Sequence, residues 1–239
     1  QAGEALFSGD LLIASRGGDG SKYDKKRTFN GEVSQVIYPW DIFLLNGMEI
    51  QNDFSLITKG RKSEPIGDPH TITYGNDIFL EKGASVKAAV LNSETGPIYI
   101  GKDAEVQEGA VIRGPFALCR ESIVGMGGKV RGETTVGPYS KIGGEVSKSV
   151  LFGFSNKAHD GYLGNSIIGE WCNLGAGTSN SNLKNNYTPV KMWNYESRGF
   201  DETGLQFCGL IMGDHSKAGI NTMFNTGSTV GVSANLFGE

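Results

Sequence analysis

An apolar residue returns every six positions through the C-terminal two thirds of this chain. Ile100, Val106, Ile112, Leu118, Val124, Val130, Val136 and Ile142 are each six apart. Gly101, Gly125, Gly137 and Gly143 follow four of them. The spacing returns at Ile168 and Leu174, then at Met212, Ala218, Phe224, Val230 and Leu236, with Leu80 and Val86 as an earlier pair. Neither a helix nor an ordinary strand has this period. Period six belongs to a parallel β-helix, in which one side chain per hexad points inward and successive coils stack these into a continuous core. Gly suits the corners, where it takes backbone angles that a Cβ forbids.

Composition agrees with many corners. Gly is 36 of 239 residues, about twice the usual ~7%. Such a length allows one large or two small domains. The net charge of −4, with no basic run, argues against nucleic acid or an anionic membrane as partner. No apolar stretch approaches the ~20 residues that span a bilayer, and no signal-peptide pattern opens the chain. Cys119, Cys172 and Cys208 are odd in number and lack CxxC spacing. They read as free thiols in a reducing compartment, hence a cytoplasmic protein. No His/Asp cluster has metal-ligand spacing, so no metal is expected. The chain opens on Gln1 and closes on Glu239 just past a repeat position, so a piece of a longer protein is expected.

The first seventy residues lack the beat. Leu11 to Ala14 reads as a short strand, and Ser15 to Arg27, rich in glycine and charge, as a loop. Its glycines lack the spacing of a phosphate cradle. Residues 39–58 read as helical, with Trp40, Phe43, Leu44, Phe54 and Ile57 on the apolar face and a break at Gly47. Prolines and glycines over 60–76 mark a boundary. The expected division is an N-terminal arm over 1–75 and a coil domain over 76–239.

Interruptions of a solenoid map to loops on a binding face. The beat breaks between Ile142 and Ile168, over SNKAHDGYLGN, and between Leu174 and Met212, over the polar stretch 175–204. Part of the second should project outward. His159 is the only histidine inside a break, and an imidazole suits general-base work near neutral pH. Lys157, Tyr162, Asn173, Asn182, Lys184 and Lys191 lie near it in sequence or one coil away. They offer cations for a phosphate and amides for sugar hydroxyls. The bland alternative is a solvated edge, since Asn is common at such corners for conformational reasons. His215, at a repeat corner, and His70, in the boundary segment, read as structural. Trp171 and Trp193 read as packing or subunit contacts at least as readily as base-stacking platforms.

The stretch YLGNSIIGEWCNLGAGTSNSNL resembles the acetyltransferase half of bacterial bifunctional glucosamine-1-phosphate acetyltransferase/N-acetylglucosamine-1-phosphate uridylyltransferases. It also resembles archaeal sugar-1-phosphate nucleotidylyltransferases with the same tail. The likeness runs through GPFALCR (114–120) and GLIMGDHSKAGINTMFNTGSTVGVSANL (209–236) and covers roughly 80–239. It implies an all-β, single-stranded left-handed parallel β-helix behind a short mixed or helical N-terminal arm. The general handedness rule for parallel crossovers favours the opposite hand, so the left hand rests on the resemblance alone.

The resemblance also implies roles. His159 would be the base for acetyl transfer from acetyl-CoA, and Tyr162 and Arg120 would hold the sugar phosphate. Asn173 and Asn182 would bond sugar and acetyl groups. Lys191 falls near a Lys that the family delivers on a projecting loop, often from a neighbouring subunit, which makes a homotrimer the expected assembly. Lys141 stands for a family Lys whose usual place holds Gly143 and Gly144. Gly219, Ile220 and Phe237 fall along the CoA groove, where Ile220 and Phe237 are bulkier than the family's residues. The G-x-G-T-R-M nucleotide-binding signature is absent, so no nucleotidyl transfer is expected from this chain alone. Two functions follow. One is an acetyltransferase acting on an amino-sugar 1-phosphate. The other is the tail of a sugar-1-phosphate nucleotidyltransferase, serving oligomerisation or sugar binding.

Overall fold

The computed structural model describes residues 3–17, 23 and 25–237. The chain divides into two compact units, 1–37 and 38–239. In the first, strand Glu4–Ser8 pairs antiparallel with Leu11–Arg16, turning through Gly9 at φ 55°. Its other edge pairs parallel with Lys25–Thr28. The expected strand at 11–14 is present. The expected loop over 15–27 is corrected at both ends, while 18–22 and 24 lie outside the described residues. Its charged end forms a strand because the middle strand offers a free edge and an acidic partner: Lys25 and Arg27 both face Glu4, at 3.2 and 3.6 Å.

In the second unit, parallel strands of two to three residues stack into three flat faces of a prism. The first face begins with Ile72–Tyr74, the second with Ile78–Leu80 and the third with Ser85–Val86. The second and third faces are eight-stranded parallel sheets. The hexad residues point inward and pair in register from coil to coil: Ile112 with Val130, Leu118 with Val136, Val124 with Ile142. All are nearly or fully buried in one continuous core. Shortening one such aliphatic to Ala costs about 2–5 kcal/mol, so the column itself holds the coils together.

The first break in the beat is a shortening of the coil. Val136 pairs onward with Leu151 and Ile142 with Lys157, steps of 15 residues where the regular coil takes 18. The inward column continues through residues that the six-residue spacing passes over. The second break does project. The polypeptide leaves the prism after strand Ser179–Asn180, forms the antiparallel hairpin Lys191–Asn194 with Gly199–Glu202, and rejoins at Leu210–Met212.

The helix is continuous over Asp41–Thr58, which corrects the expected break at Gly47. Gly47 is buried on the side facing the coils, where a Cβ would come within 2.7 Å of the Glu133 side chain. It serves close approach rather than interruption. Asn46 clasps the same place, donating to the Glu133 carbonyl and accepting from Thr135 Oγ1. The apolar face is therefore corrected to Phe43, Gly47 and Ile50, with Trp40 just before the helix. Leu44 and Ile57 are exposed. That stripe follows the i, i+4, i+7 helical spacing and lies on the second face. Trp40 and Phe43 join Ile167 and the projecting segment's Val190, Met192 and Cys208 in a second apolar cluster. Helix and projecting segment thus cover the second face, while residues 61–71 close the first coil: Glu64 N–H donates to the Leu80 carbonyl and Ser63 Oγ accepts from Leu80 N–H.

Candidate active site

The prism has three edges, and the predicted residues distribute over two of them and the faces between. The edge joining the third face to the first is lined by corners rich in glycine: Gly125–Gly128, Gly143–Gly144, Ala158–Gly161, Gly175–Thr178 and Gly219–Thr222. His159 sits here, exposed, and its imidazole has no hydrogen-bond partner among the described residues. A groove of about 420 Å³ runs below it, lined by Gln107, Ile123, Gly125, Lys141, Gly144 and Asp160 among others. Gly143 and Gly144 make this possible. A Cβ at Gly143 would collide with the Ala158 carbonyl, and one at Gly144 with the Gly161 carbonyl. The glycines at the expected lysine position therefore let the His159 corner settle directly on the coil below.

Lys141 projects from the third face beside that corner. Its strand pairs with Asn156, and Asn156 in turn with Asn173, so Lys141 and Asn173 lie two strands apart on one outer surface. Gly219 and the exposed Ile220 and Phe237 lie on the His159 edge in later coils. Lys141, His159, Asn173 and the predicted CoA-side residues are thus brought to one edge and its adjoining face.

Tyr162 and Asn182 form a second cluster round the corner on the first face. Asn182 Nδ2 donates to the Tyr162 hydroxyl at 3.0 Å and to Asn165 Oδ1 at 2.8 Å. Burial, and next the carboxylate of Glu145, push the Tyr162 phenol up, so it stays protonated and able to donate outward. The backbone beneath is held unusually. Asn180 takes an inward slot, accepts from Gly164 N–H and donates to the Gly164 carbonyl, while Ser179 Oγ accepts from Tyr162 N–H. Side-chain amide and hydroxyl replace the strand ladder here, and the six-stranded run of the first face ends at Tyr162–Gly164.

Arg120 and Lys191 stand apart. Arg120 lies on the edge between the second and third faces, its guanidinium 5.4 Å from the Tyr139 ring centroid. Lys191, on the projecting hairpin, pairs with Glu202 at 2.8 Å. Within one chain neither joins the His159 groove. Trp171 and His215 belong to the Arg120 edge, where Tyr139, Phe154, Trp171 and His215 stack in sequence with nearly parallel rings. Trp193 packs edge-on against Tyr195 and Phe200 in the hairpin.

The expected place of Lys157 among the surface cations is corrected by the structure. Lys157 is fully buried in the inward column, and its ammonium donates to the carbonyls of His159, at 2.6 Å, and Asp160, at 3.1 Å. Burial lowers its pKa to about 8. A signal for it existed: counting back 17 residues from Leu174 lands on Lys157. Among the described residues no group of three or more His, Cys, Asp or Glu could hold a metal, no helix is long and apolar enough to cross a membrane, and the three cysteines are free thiols.

Fold and edge together define the class: a hexapeptide-repeat parallel β-helix with a polar, glycine-lined groove. Residues 1–62 match the sugar nucleotidyl transferase family. The chain is 33% identical over 144 residues to a protein of Sulfurisphaera tokodaii named bifunctional sugar-1-phosphate nucleotidylyltransferase/acetyltransferase, covering 59% of this chain and 35% of that one. It is 32% identical over 184 residues to the bifunctional protein GlmU of Methanocaldococcus jannaschii, covering 70% and 41%. A GlmU of Clostridium beijerinckii is 29% identical over 157 residues, covering 64% and 30%. The chain thus spans about two fifths or less of these relatives. The resemblance read from the sequence is borne out, and these relatives are transferases by name.

Proposed function

We propose that the coil domain transfers an acetyl group from acetyl-CoA to the amine of an amino-sugar 1-phosphate along the glycine-lined edge. The observation that carries this is the unpartnered His159 imidazole above a groove shared with Lys141, on the edge that also bears Gly219, Ile220 and Phe237. The neutral sugar amine attacks the thioester carbonyl carbon. A C–N bond forms, the C–S bond breaks, His159 takes the proton released by nitrogen, and the imidazolium returns it to the departing thiolate. Lys141 and Asn173 meet the substrates from the third face, and Tyr162 and Asn182 from the first. Arg120 supplies a planar fork suited to a phosphate. Because Arg120 and His159 occupy different edges, they share a site through a neighbouring chain, which fits a homotrimer with Lys191 also offered across the boundary. The setting is cytoplasmic.

A second reading has its own support. Ile220 and Phe237 stand 70% and 82% exposed on the CoA side, and residues 1–62 match a nucleotidyl transferase family. On this reading the coils are the oligomerising, sugar-binding tail of a sugar-1-phosphate nucleotidyltransferase. Thiol release from acetyl-CoA with glucosamine-1-phosphate separates the two. Acetyl transfer requires turnover that falls about 10²–10⁴-fold in His159→Ala. Wild type and His159→Ala equally inactive over a range of amino sugars would leave the tail reading.

A further inference from the structure

Lys157 sits where the fold calls for an aliphatic side chain. The same inward slot holds Val106, Val124 and Ile142 in earlier coils and Leu174 in the next, all nearly or fully buried. An ammonium there loses its hydration, a cost that a leucine would not carry. Among the described residues no carboxylate hydrogen-bonds it: its hydrogen bonds go to the carbonyl oxygens of His159 and Asp160. These are backbone groups of the corner that presents the His159 ring. Gly161 closes the same corner at φ 124°, where a Cβ would stand 3.2 Å from the Lys157 nitrogen and collide with the Thr178 carbonyl. The corner is therefore wrapped tightly round the ammonium, with the imidazole on its outer side.

We infer that Lys157 is a positioning residue: its buried ammonium grips the His159 and Asp160 carbonyls from inside the prism and fixes the direction in which the His159 imidazole faces the groove. The inference rests on the reading of His159 as the base. Neither Lys157→Met nor Lys157→Leu removes a plug, since both refill the slot with apolar volume. Lys157→Leu repeats the residue of the next coil.

Two readouts test it on the full chain. The first is the carbon–proton spectrum of the three histidine rings, with His159 assigned through His159→Gln. Expected is a moved or broadened His159 signal in both variants, with His70 and His215 unchanged and the thermal midpoint within a few degrees of wild type. The second is acetyl transfer to glucosamine-1-phosphate, with kcat expected to fall about 10–100-fold at nearly unchanged KM. Unmoved His159 signals in both variants with unaltered kcat would overturn the inference, leaving a merely tolerated core lysine. Loss of the folded coil in both would also overturn it, making Lys157 a support of the whole prism. If wild type turns over no amino sugar, the acetyl-transfer reading fails, and the ring signals still decide whether Lys157 orients His159.

Discussion

Two edges of one prism solve the same turn in opposite ways. On the edge between the second and third faces, Tyr139, Phe154, Trp171 and His215 hold φ between 56° and 59°. Bulky residues rarely take such angles, yet here their rings stack on one another from coil to coil, with centroids 4.5 to 6.2 Å apart. On the edge between the third and first faces the positive-φ position is held instead by Gly127, Gly144, Gly161 and Gly177, at 68°, 67°, 124° and 73°, and only later by Asn221. The glycines just after the inward aliphatic, Gly125, Gly143, Gly175 and Gly219, are not at positive φ, and the aromatic edge has their counterparts in Gly137, Gly169 and Gly213. At Gly143 and Gly175 the neighbouring backbone leaves no room for a Cβ, but at Gly125 and Gly219 the nearest atoms would be 3.5 Å away. The lesson is that the coil tolerates filled corners. The bare edge carries glycine where the other edge carries rings, and this leaves it open beside His159.

The largest effect expected from this contrast is a split between two glycines on the bare edge. Gly143→Ala drives a methyl into the Ala158 carbonyl, and overpacking of this kind costs about 1–3 kcal/mol or more. At about 2–4 °C per kcal/mol for a domain of this size, its melting midpoint should drop clearly, while Gly125→Ala should melt like wild type. Equal midpoints would mean that close approach does not shape the His159 corner. Next comes Trp171→Ala, which removes the middle of the aromatic stack. Losing two ring contacts worth about 0.5–1.5 kcal/mol each should lower the midpoint by a few degrees and leave the acetyl transfer proposed for the bare edge unchanged. Lost acetyl transfer without lost stability would move the site to the aromatic edge. The smallest effect on stability is Arg120→Ala, whose exposed ring contact is worth about 0.5–1 kcal/mol. It sharpens the comparison differently. If Arg120 serves a neighbour's groove, co-assembled Arg120→Ala and His159→Ala chains should regain turnover that neither has alone. No regain would confine Arg120 to its own edge.

Much of the fold was legible because stacking imposes a strict period. Each hexad residue from Ile100 to Ile142 plugs the core as its spacing requires. Legibility failed where the coil shortened. Losing a few residues at the corners shifts the phase, and Lys157 and Asn180 then enter the core as polar plugs that no hydrophobic pattern reveals. The N-terminal strand Lys25–Thr28 was also missed, because its residues are charged and it is recruited by a sheet edge rather than by apolar alternation. Of the candidate residues, His159, Lys141 and Asn173 lie on one edge and its adjoining face. Tyr162 and Asn182 meet through a hydrogen bond that spacing could not foretell, and Arg120 faces elsewhere because 39 residues of coil place it at a different corner.

The sequence by itself determined the prism, since an inward aliphatic every six residues can be buried continuously only by stacked coils. It also determined that His159 stands in a polar gap of that pattern. Tertiary structure alone decided which edge lies bare, that Gly47 docks the helix rather than breaking it, and that a lysine grips the His159 corner from within. Those outcomes depend on which atoms of successive coils come within reach of each other, and that distance is set by the packed backbone rather than by any residue's own preference.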